Sequence, residues 1–194
     1  MRRDLTSLVL TLILCSFFSF NAHAYEPSFN RTVGGMVFGS VQLVDTLPIV
    51  APGIGGGAFF DYRFNQRFSM QVESFVIFQD GERQSTAENS ITFFAMPAGT
   101  LKIYPFKNTT RFDPYFGLGL GLYMLSEGGV SNSTFGVGLG AQIETGLDFN
   151  LTDNLLLGVG GTYRSVGLLN SFKGTANAST YMPYTLFGRI GYRF

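Results

Sequence analysis

The sequence predicts an all-β chain that folds as a membrane-spanning, antiparallel, up-and-down β-barrel of eight strands. Apolar and polar residues alternate along eight segments of roughly 10–15 residues, the pattern of strands that have one oily face. Aromatic residues are frequent (15%) and charged residues are few (13%), which suits an apolar exterior. Short turns alternate with longer polar loops between the segments, as they do in barrels that cross a bilayer.

The first 24 residues predict an export signal that precedes the folded domain. Arg2 and Arg3 give it a positive start, an apolar run follows, and the triplet 22–24 (Ala-His-Ala) matches a cleavage site. A membrane anchor would need a longer uninterrupted apolar run. We therefore predict a cleaved signal peptide over residues 1–24 and one mature domain over residues 25–194.

Cleavage there would remove Cys15 and His23, the only cysteine and the only histidine of the chain. The mature domain would then lack a disulfide, a thiol nucleophile and an imidazole base. We therefore predict no enzymatic activity, no cofactor and no histidine–cysteine metal site. The formal net charge is zero, which gives no reason to expect nucleic acid as a partner.

The first three predicted strands cover residues 32–43, 53–64 and 67–79, and a loop at 44–52 and a tight turn at 65–66 connect them. On each strand, alternate positions are apolar and predict the outward face, whereas polar residues such as those of 69–73 predict the inward face. The outward sets are Val33, Val37 and Val41; Ile54, Ala58, Phe60, Tyr62 and Phe64; and Phe68, Met70, Val72, Val76 and Phe78.

The fourth predicted strand, 90–106, follows a polar loop at 80–89 and contains Pro97. Proline donates no hydrogen bond to a neighbouring strand, so we expect a bulge over residues 97–99. The alternation through the whole segment predicts Ile91, Phe93, Ala95, Leu101 and Ile103 on the outward face, and Thr92, Phe94, Met96, Thr100, Lys102 and Tyr104 on the inward face.

The last four strands are predicted over residues 114–125, 135–149, 155–164 and 180–194. The first connection into this group, 107–113, and the one through residues 152–154 are predicted to be turns, and 126–134 and 166–179 are predicted to be loops. The outward positions of these strands are leucine, isoleucine, valine, methionine, phenylalanine and tyrosine almost throughout, whereas the inward positions of the first three are rich in glycine.

Two segments resemble a known family of small barrels. Residues 188–194 (Gly-Arg-Ile-Gly-Tyr-Arg-Phe) form an alternating strand that stops on an aromatic residue, and residues 113–121 (Asp-Pro-Tyr-Phe-Gly-Leu-Gly-Leu-Gly) repeat glycine at every second position. Both resemble eight-stranded outer-membrane barrels of the OmpA/OmpX type. The resemblance implies the bacterial cell outer membrane, outer-membrane lipids as surroundings, a monomer, and an assembly signal at Tyr192 and Phe194 that the barrel assembly machinery reads.

The predicted outward faces carry no charged residue, which favours lipid over water outside the barrel. A soluble β-sandwich usually has a charged solvent face. A cation at the midplane of such a barrel costs about 2–4 kcal/mol, so its exclusion is expected. Aromatic residues predict two interfacial girdles: Phe64, Phe68, Phe149, Tyr192 and Phe194 at the short-turn end, and Phe78, Phe93, Phe135, Tyr163 and Tyr184 at the loop end.

The predicted inward faces hold four acids and five bases. An eight-stranded lumen is only wide enough to be filled by side chains, and buried charges have to be paired. We therefore expect a network of ion pairs that serves as a structural plug; a narrow gated pore is the alternative. The members are Asp61, Arg63, Glu73, Lys102, Glu144, Asp148, Arg164, Arg189 and Arg193.

A second inward pattern sets a glycine wall on strands five to seven against bulky apolar residues on strands one to four. Complementary packing explains it, since glycine admits close approach and tight curvature. The alternative is an apolar pocket or conduit for a small hydrophobic compound. The bulky set is Met36, Phe38, Phe59, Phe75, Phe94, Met96 and Tyr104.

Together these features predict a non-enzymatic membrane protein that contributes to envelope integrity or presents its loops for interaction or adhesion. The competing hypothesis is transport, through a porin-like narrow pore for ions or a conduit for small hydrophobic compounds. Any interaction is expected in the loops 44–52, 80–89, 126–134 and 166–179, because loops on a rigid scaffold carry binding residues disproportionately.

Overall fold

The computed structural model describes residues 30–42, 52–79, 91–106, 111–127, 134–169 and 180–194. The predicted signal peptide and large parts of the four predicted loops lie outside these residues. Within the described ranges, no helix is both long and apolar enough to cross a membrane. The strands are β1 Arg31–Gln42, β2 Gly53–Arg63, β3 Phe68–Gln79, β4 Ile91–Ile103, β5 Phe112–Glu127, β6 Thr134–Asn150, β7 Leu155–Leu168, β8 Thr180–Tyr181 and β9 Pro183–Arg193.

The strands form one antiparallel sheet that closes on itself. Each strand from β1 to β7 pairs with the next, and β9 pairs with both β7 and β1. β8 pairs with β7 in the same register as β9, since Val166 opposes Tyr181 and Tyr163 opposes Tyr184. Thus β8 and β9 are two parts of one wall strand, and the interruption at Met182, the residue before Pro183, brings no register shift. The predicted eight-stranded, up-and-down barrel is confirmed.

The outer wall is apolar because alternate residues of every strand point away from the lumen. Val37, Ile54 and Leu120 are 68%, 76% and 74% exposed on this face. Among the described strand residues, Arg31 is the one charged side chain at an outward position, and it is the first residue of β1. A face of this kind requires hydrocarbon around it.

β4 contains the predicted bulge, but the facing predicted for its first half is wrong. Between Ala95 and Ala98 the register shifts against both β3 and β5, so Met96 and Pro97 both lie on the outside. The extra residue inverts the alternation, and Phe93 is fully buried in the lumen. Residues on the inside are therefore Ile91, Phe93 and Ala95, and residues directed outward are Thr92, Phe94 and Met96.

The connections at one end of the barrel are short, and three of the four at the other end are longer than any of them. Residues 64–67, 104–111 and 151–154 connect strands at the first end, where β1 begins and β9 ends. By the rule for outer-membrane barrels, this end faces the periplasm and the opposite end faces outside. Exposed aromatics at the periplasmic end include Phe64, Phe68, Phe112, Tyr192 and Phe194, and those at the other end include Phe78 and Phe135.

Candidate functional site

The structure places all nine sequence-predicted charged residues in the lumen. Each is at most 9% exposed, so the network lies inside the barrel and away from lipid. The alternation explains this, because every one of these residues lies one position from an outward apolar residue. The residues are Asp61 and Arg63 on β2, Glu73 on β3, Lys102 on β4, Glu144 and Asp148 on β6, Arg164 on β7, and Arg189 and Arg193 on β9.

One further acid, Asp113, belongs to the network and was missed in the sequence. The sequence predicts a turn over residues 107–113, but β5 begins at Phe112, and the Asp113 side chain is 1% exposed. Its Oδ2 atom lies 2.7 Å from Nη2 of Arg63. The alternation along the strand indicates its direction, because Asp113 lies two and four residues before the inward-facing Tyr115 and Gly117. With it, the lumen holds five acids and five bases.

At the periplasmic end, aromatic rings and ion pairs alternate. The Arg63 guanidinium lies 4.0 Å from the centroid of the Tyr104 ring, a cation–π contact in a dry setting. The Tyr104 hydroxyl donates to Asp148 at 3.1 Å, and both oxygens of Asp148 accept hydrogen bonds from Arg189. Arg193, nearer the mouth, donates to Asn150 at 2.8 Å.

Lys102 sits at the centre of the next layer. Its Nζ lies 3.5 Å from Asp61 and 3.6 Å from Glu144, and it also donates to Gln71. The Tyr115 hydroxyl donates to Glu144 at 2.7 Å. An ammonium group buried this completely is tolerated because two carboxylates and an amide surround it.

The third layer joins opposite walls of the barrel. Arg164 on β7 lies 2.9 Å from Glu73 on β3, and these two strands are four positions apart in either direction around the closed sheet. Arg164 also donates to Gln142 at 3.0 Å and to Thr185. The layer therefore spans the full diameter of the lumen.

Toward the loop end of the barrel, the lumen is filled by aromatic and aliphatic side chains. The Phe93 ring stacks on Tyr123 at 5.4 Å and meets Tyr181 edge-on at 5.0 Å. Phe75 packs against both Phe38 and Phe93, with ring centroids 5.0 and 5.5 Å apart. Geometries of this kind are favourable for aromatic pairs and leave little free volume.

The inward glycines lie under lumen side chains. Where Gly121 and Gly140 border a groove, its other lining residues include the exposed Leu120 and Leu139 of the outer wall. A Cβ on Gly121 would come within 2.7 Å of the Tyr123 ring, and one on Gly160 within 2.5 Å of the Phe187 ring. The glycines thus admit the rings to close contact with the opposite backbone. Of the predicted bulky set, Phe94 and Met96 do not contribute, because the bulge in β4 turns them outward.

The internal cavity at the periplasmic mouth is small. It measures about 10 Å³ and is lined by residues that include Asp61, Arg63, Tyr104 and Arg189. That volume is at the lower limit for a single water molecule. Within the described residues, no cluster of three or more histidine, cysteine or acidic side chains is arranged to hold a metal ion.

The two predicted assembly residues lie at the end of the closing strand. Tyr192 and Phe194 point outward and are 56% and 45% exposed, at the periplasmic girdle. The backbone N–H of Phe194 donates to the carbonyl of Arg31 at 2.9 Å, and Arg31 returns a bond at 3.3 Å. The last residue therefore completes the ladder that closes the barrel.

Comparisons with solved structures find the same fold. Neisserial surface protein A (NspA) matches with a TM-score of 0.61 at 15% identity, over 86% of this chain and 97% of that one. OprG of Pseudomonas aeruginosa matches with a TM-score of 0.53 at 17% identity, over 87% and 97%. Ail, the attachment invasion locus protein of Yersinia pestis, matches with a TM-score of 0.51 at 13% identity, over 85% and 97%.

No curated protein matches the chain by sequence. The family described as "Outer membrane protein beta-barrel domain" matches residues 10–194, which is nearly the whole chain. The closed sheet, the apolar outer wall and the filled lumen agree with that match. This protein therefore belongs to the outer membrane protein beta-barrel domain family and resides in the bacterial outer membrane.

Proposed function

We propose that this protein is a sealed, non-enzymatic barrel that contributes to envelope integrity and presents its loops at the cell surface. The observation that carries the proposal is the bracing of the lumen from wall to wall. Arg164 and Glu73 join strands on opposite sides of the barrel at 2.9 Å, and Arg189 reaches from β9 to Gln71 on β3. Side chains that hold the wall together in this way also occupy the path that a solute would take.

The carboxylates support the non-enzymatic part of the proposal. Each of the five lumen acids lies within 4 Å of an arginine or lysine nitrogen. A general acid or base has to be reachable by a substrate and free to exchange its proton. These carboxylates are buried and engaged with cations, so their role is to neutralise charge inside the wall.

The loops at the end of the barrel opposite the periplasm support the proposed role at the cell surface. Three of the four connections at that end, 43–52, 80–90 and 169–179, are longer than any connection at the periplasmic end. Long connections on a rigid frame are where binding residues concentrate. Ail is named for attachment and invasion. At 13% identity its likeness to this chain covers the fold alone, so any binding partner of this protein has to be identified through its own loops.

Planar-bilayer recording of the purified barrel tests the sealed lumen. The wild-type protein is expected to give no steady conductance, since the braces and the aromatic layer fill the lumen. A triple substitution, Glu73→Ala, Arg164→Ala and Phe93→Ala, removes one brace together with both of its charges and part of the aromatic layer. It is expected to conduct. A steady, single-size conductance from the wild-type protein would refute the proposal in favour of a pore.

A loop replacement separates the two roles within the proposal. Exchanging residues 80–89 for a glycine–serine linker of equal length leaves the described barrel residues intact. In a deletion strain, sensitivity to a large antibiotic that intact outer membranes exclude measures envelope integrity. Rescue by the linker variant assigns that role to the barrel, whereas rescue by the wild type alone assigns it to the loop. If neither protein rescues, the integrity role is wrong.

A further inference from the structure

A groove at the periplasmic rim combines the features of a lipid headgroup site. It lies at the β2–β3 corner beside the start of β1 and has a volume of about 550 Å³. Its lining contains two arginines and no acid. The lining residues are Asn30, Arg63, Phe64, Asn65, Gln66, Arg67 and Phe68.

The aromatic residues fix the depth of this groove in the membrane. Phe64 and Phe68 are 55% and 39% exposed on the outer wall, within the girdle that marks the interface of an outer-membrane barrel. Arg67 belongs to the same turn, and Arg31 lies opposite Tyr62 at the end of β2. Long cationic side chains at this depth extend from the apolar zone toward the phosphates.

The charges of the groove are available to an anion. Arg63 is engaged by Asp113 at 2.7 Å and so adds little net charge. Arg67 lines the groove and is partly exposed, and Arg31, which follows the lining residue Asn30, is exposed. Within the described residues neither arginine lies within ion-pair distance of an acid. The local balance is therefore positive on the side that faces the inner leaflet.

The turn that carries Arg67 is already held in one conformation. The side-chain oxygen of Asn65 accepts hydrogen bonds from the backbone N–H groups of Arg67 and Phe68, at 2.8 and 2.9 Å. The N–H of Phe64 donates to the carbonyl of Phe68 at 3.0 Å. A preformed site binds more tightly because less conformational entropy is lost on binding.

We propose that this groove binds the headgroup of an anionic phospholipid of the inner leaflet. Arg31 and Arg67 contact the phosphate, and Phe64 and Phe68 pack beside the upper acyl chain. Guanidinium groups bind phosphate through directed hydrogen bonds, and a basic residue near an anionic lipid surface contributes about 1 kcal/mol, or about fivefold in affinity.

Native mass spectrometry of the barrel purified from outer membranes, titrated with lipid in an uncharged detergent, tests the site. Phosphatidylglycerol should be retained more strongly than phosphatidylcholine. The double variant Arg31→Gln, Arg67→Gln should bind phosphatidylglycerol about 25-fold more weakly, from about fivefold for each arginine. Arg111→Gln is the matched control, because Arg111 is an exposed arginine at the next periplasmic corner, and neither it nor the adjacent Phe112 lines the groove. It should change binding less than twofold.

Three outcomes would overturn the proposal. The first is an equal loss of binding per substituted arginine in the double variant and in Arg111→Gln, because that identifies general surface charge. The second is release of the lipid by millimolar inorganic phosphate, which identifies a site for a free anion. The third is a double variant that binds phosphatidylglycerol as the wild type does but no longer sediments with purified peptidoglycan, which identifies a site for peptidoglycan. Heat-modifiable migration in gels verifies that every variant is folded.

Discussion

Gly34 and Gly35 are neighbours on β1 that meet opposite environments. A Cβ on Gly34 would lie 2.0 Å from the carbonyl oxygen of Ile190 and 2.6 Å from the Phe59 ring, and the backbone oxygen cannot move away without breaking the ladder. A Cβ on Gly35 would have its nearest neighbour at 3.8 Å. The same substitution at adjacent positions therefore has different consequences.

We predict that Gly34→Ala lowers the free energy of unfolding by about 1–3 kcal/mol, the usual cost of overpacking. Gly35→Ala should be neutral or stabilising by up to about 1 kcal/mol, because alanine restricts the unfolded chain and adds apolar surface toward lipid. Urea unfolding in detergent micelles measures both. Equal effects at the two positions would show that the glycines act through flexibility and not through space.

The brace between Arg164 and Glu73 predicts a second contrast. Arg164→Met should cost about 3–5 kcal/mol, because it leaves the Glu73 carboxylate buried without a cation. Adding Glu73→Met should recover most of that loss, since a buried pair replaced by apolar groups is often neutral. The double-mutant cycle is measured by the same unfolding assay.

Arg111→Gln is the control for this cycle, because it removes an exposed arginine that lies directly before β5. Its effect should stay within about 0.5 kcal/mol, as for other surface substitutions. If Arg164→Met were equally mild, the lumen would have to be wet enough to solvate Glu73. The structural plug would then be wrong.

At the scale of the element, the bulge in β4 determines which residues fill the lumen near the loop end of the barrel. Glu73 pairs with Ala98 and Phe75 with Ala95, so Met96 and Pro97 together oppose the single residue Ser74. One of these two residues is surplus to regular pairing. Removing it keeps Ala95 and Ala98 on the inside.

We therefore predict that deletion of Met96 is compatible with a folded, inserted barrel and costs about one ladder hydrogen bond, or about 1 kcal/mol. Deletion of Leu118 should prevent insertion. β5 is paired without a shift to both neighbours there, so a missing residue would reverse the facing of half the strand. Heat-modifiable migration of outer-membrane fractions measures both, and failure of the Met96 deletion would mean that the bulge itself is needed.

The limits of sequence-based prediction lie at the same elements. Alternation gives the facing correctly where one face is apolar and the other is polar, as on β3. In residues 91–96 both faces carry large apolar residues, so the alternation does not show which face points outward. An inserted residue then reverses the facing without a visible change in the apolar pattern. The sequence does not predict Asp113 as a member of the network, because Asp-Pro is typical of a turn.

Which acid meets which base could not be predicted either. The pairing of Arg164 with Glu73 and of Arg63 with Asp113 depends on the stagger between strands that lie far apart in the chain. The alternation shows that these side chains point inward, but it carries no information on their relative height. The sequence therefore predicts most members of the network, but it does not predict which of them form ion pairs with one another.

At the scale of the whole molecule, closure depends on the last strand reaching the first. A sheet in hydrocarbon cannot leave an edge, because each unpaired backbone group costs several kcal/mol. β9 meets β1 along its full length, and Phe194 adds the final pair of hydrogen bonds with Arg31. The end of the chain thus forms the seam of the barrel.

We predict that deletion of Phe194 lowers the yield of inserted barrel in cells more than it lowers the stability of the barrel once formed. The deletion removes two terminal hydrogen bonds, worth about 1 kcal/mol each, and one exposed ring. If the barrel assembly machinery reads the terminal aromatic, as we propose, insertion should fall severalfold while urea unfolding of the inserted fraction shifts by about 2 kcal/mol or less. Phe64→Ala is the matched control, since it removes an exposed ring from the same girdle away from the seam, and it should leave insertion unchanged. Equal losses of insertion in both variants would assign the effect to the girdle and exclude a specific signal at the end of the chain.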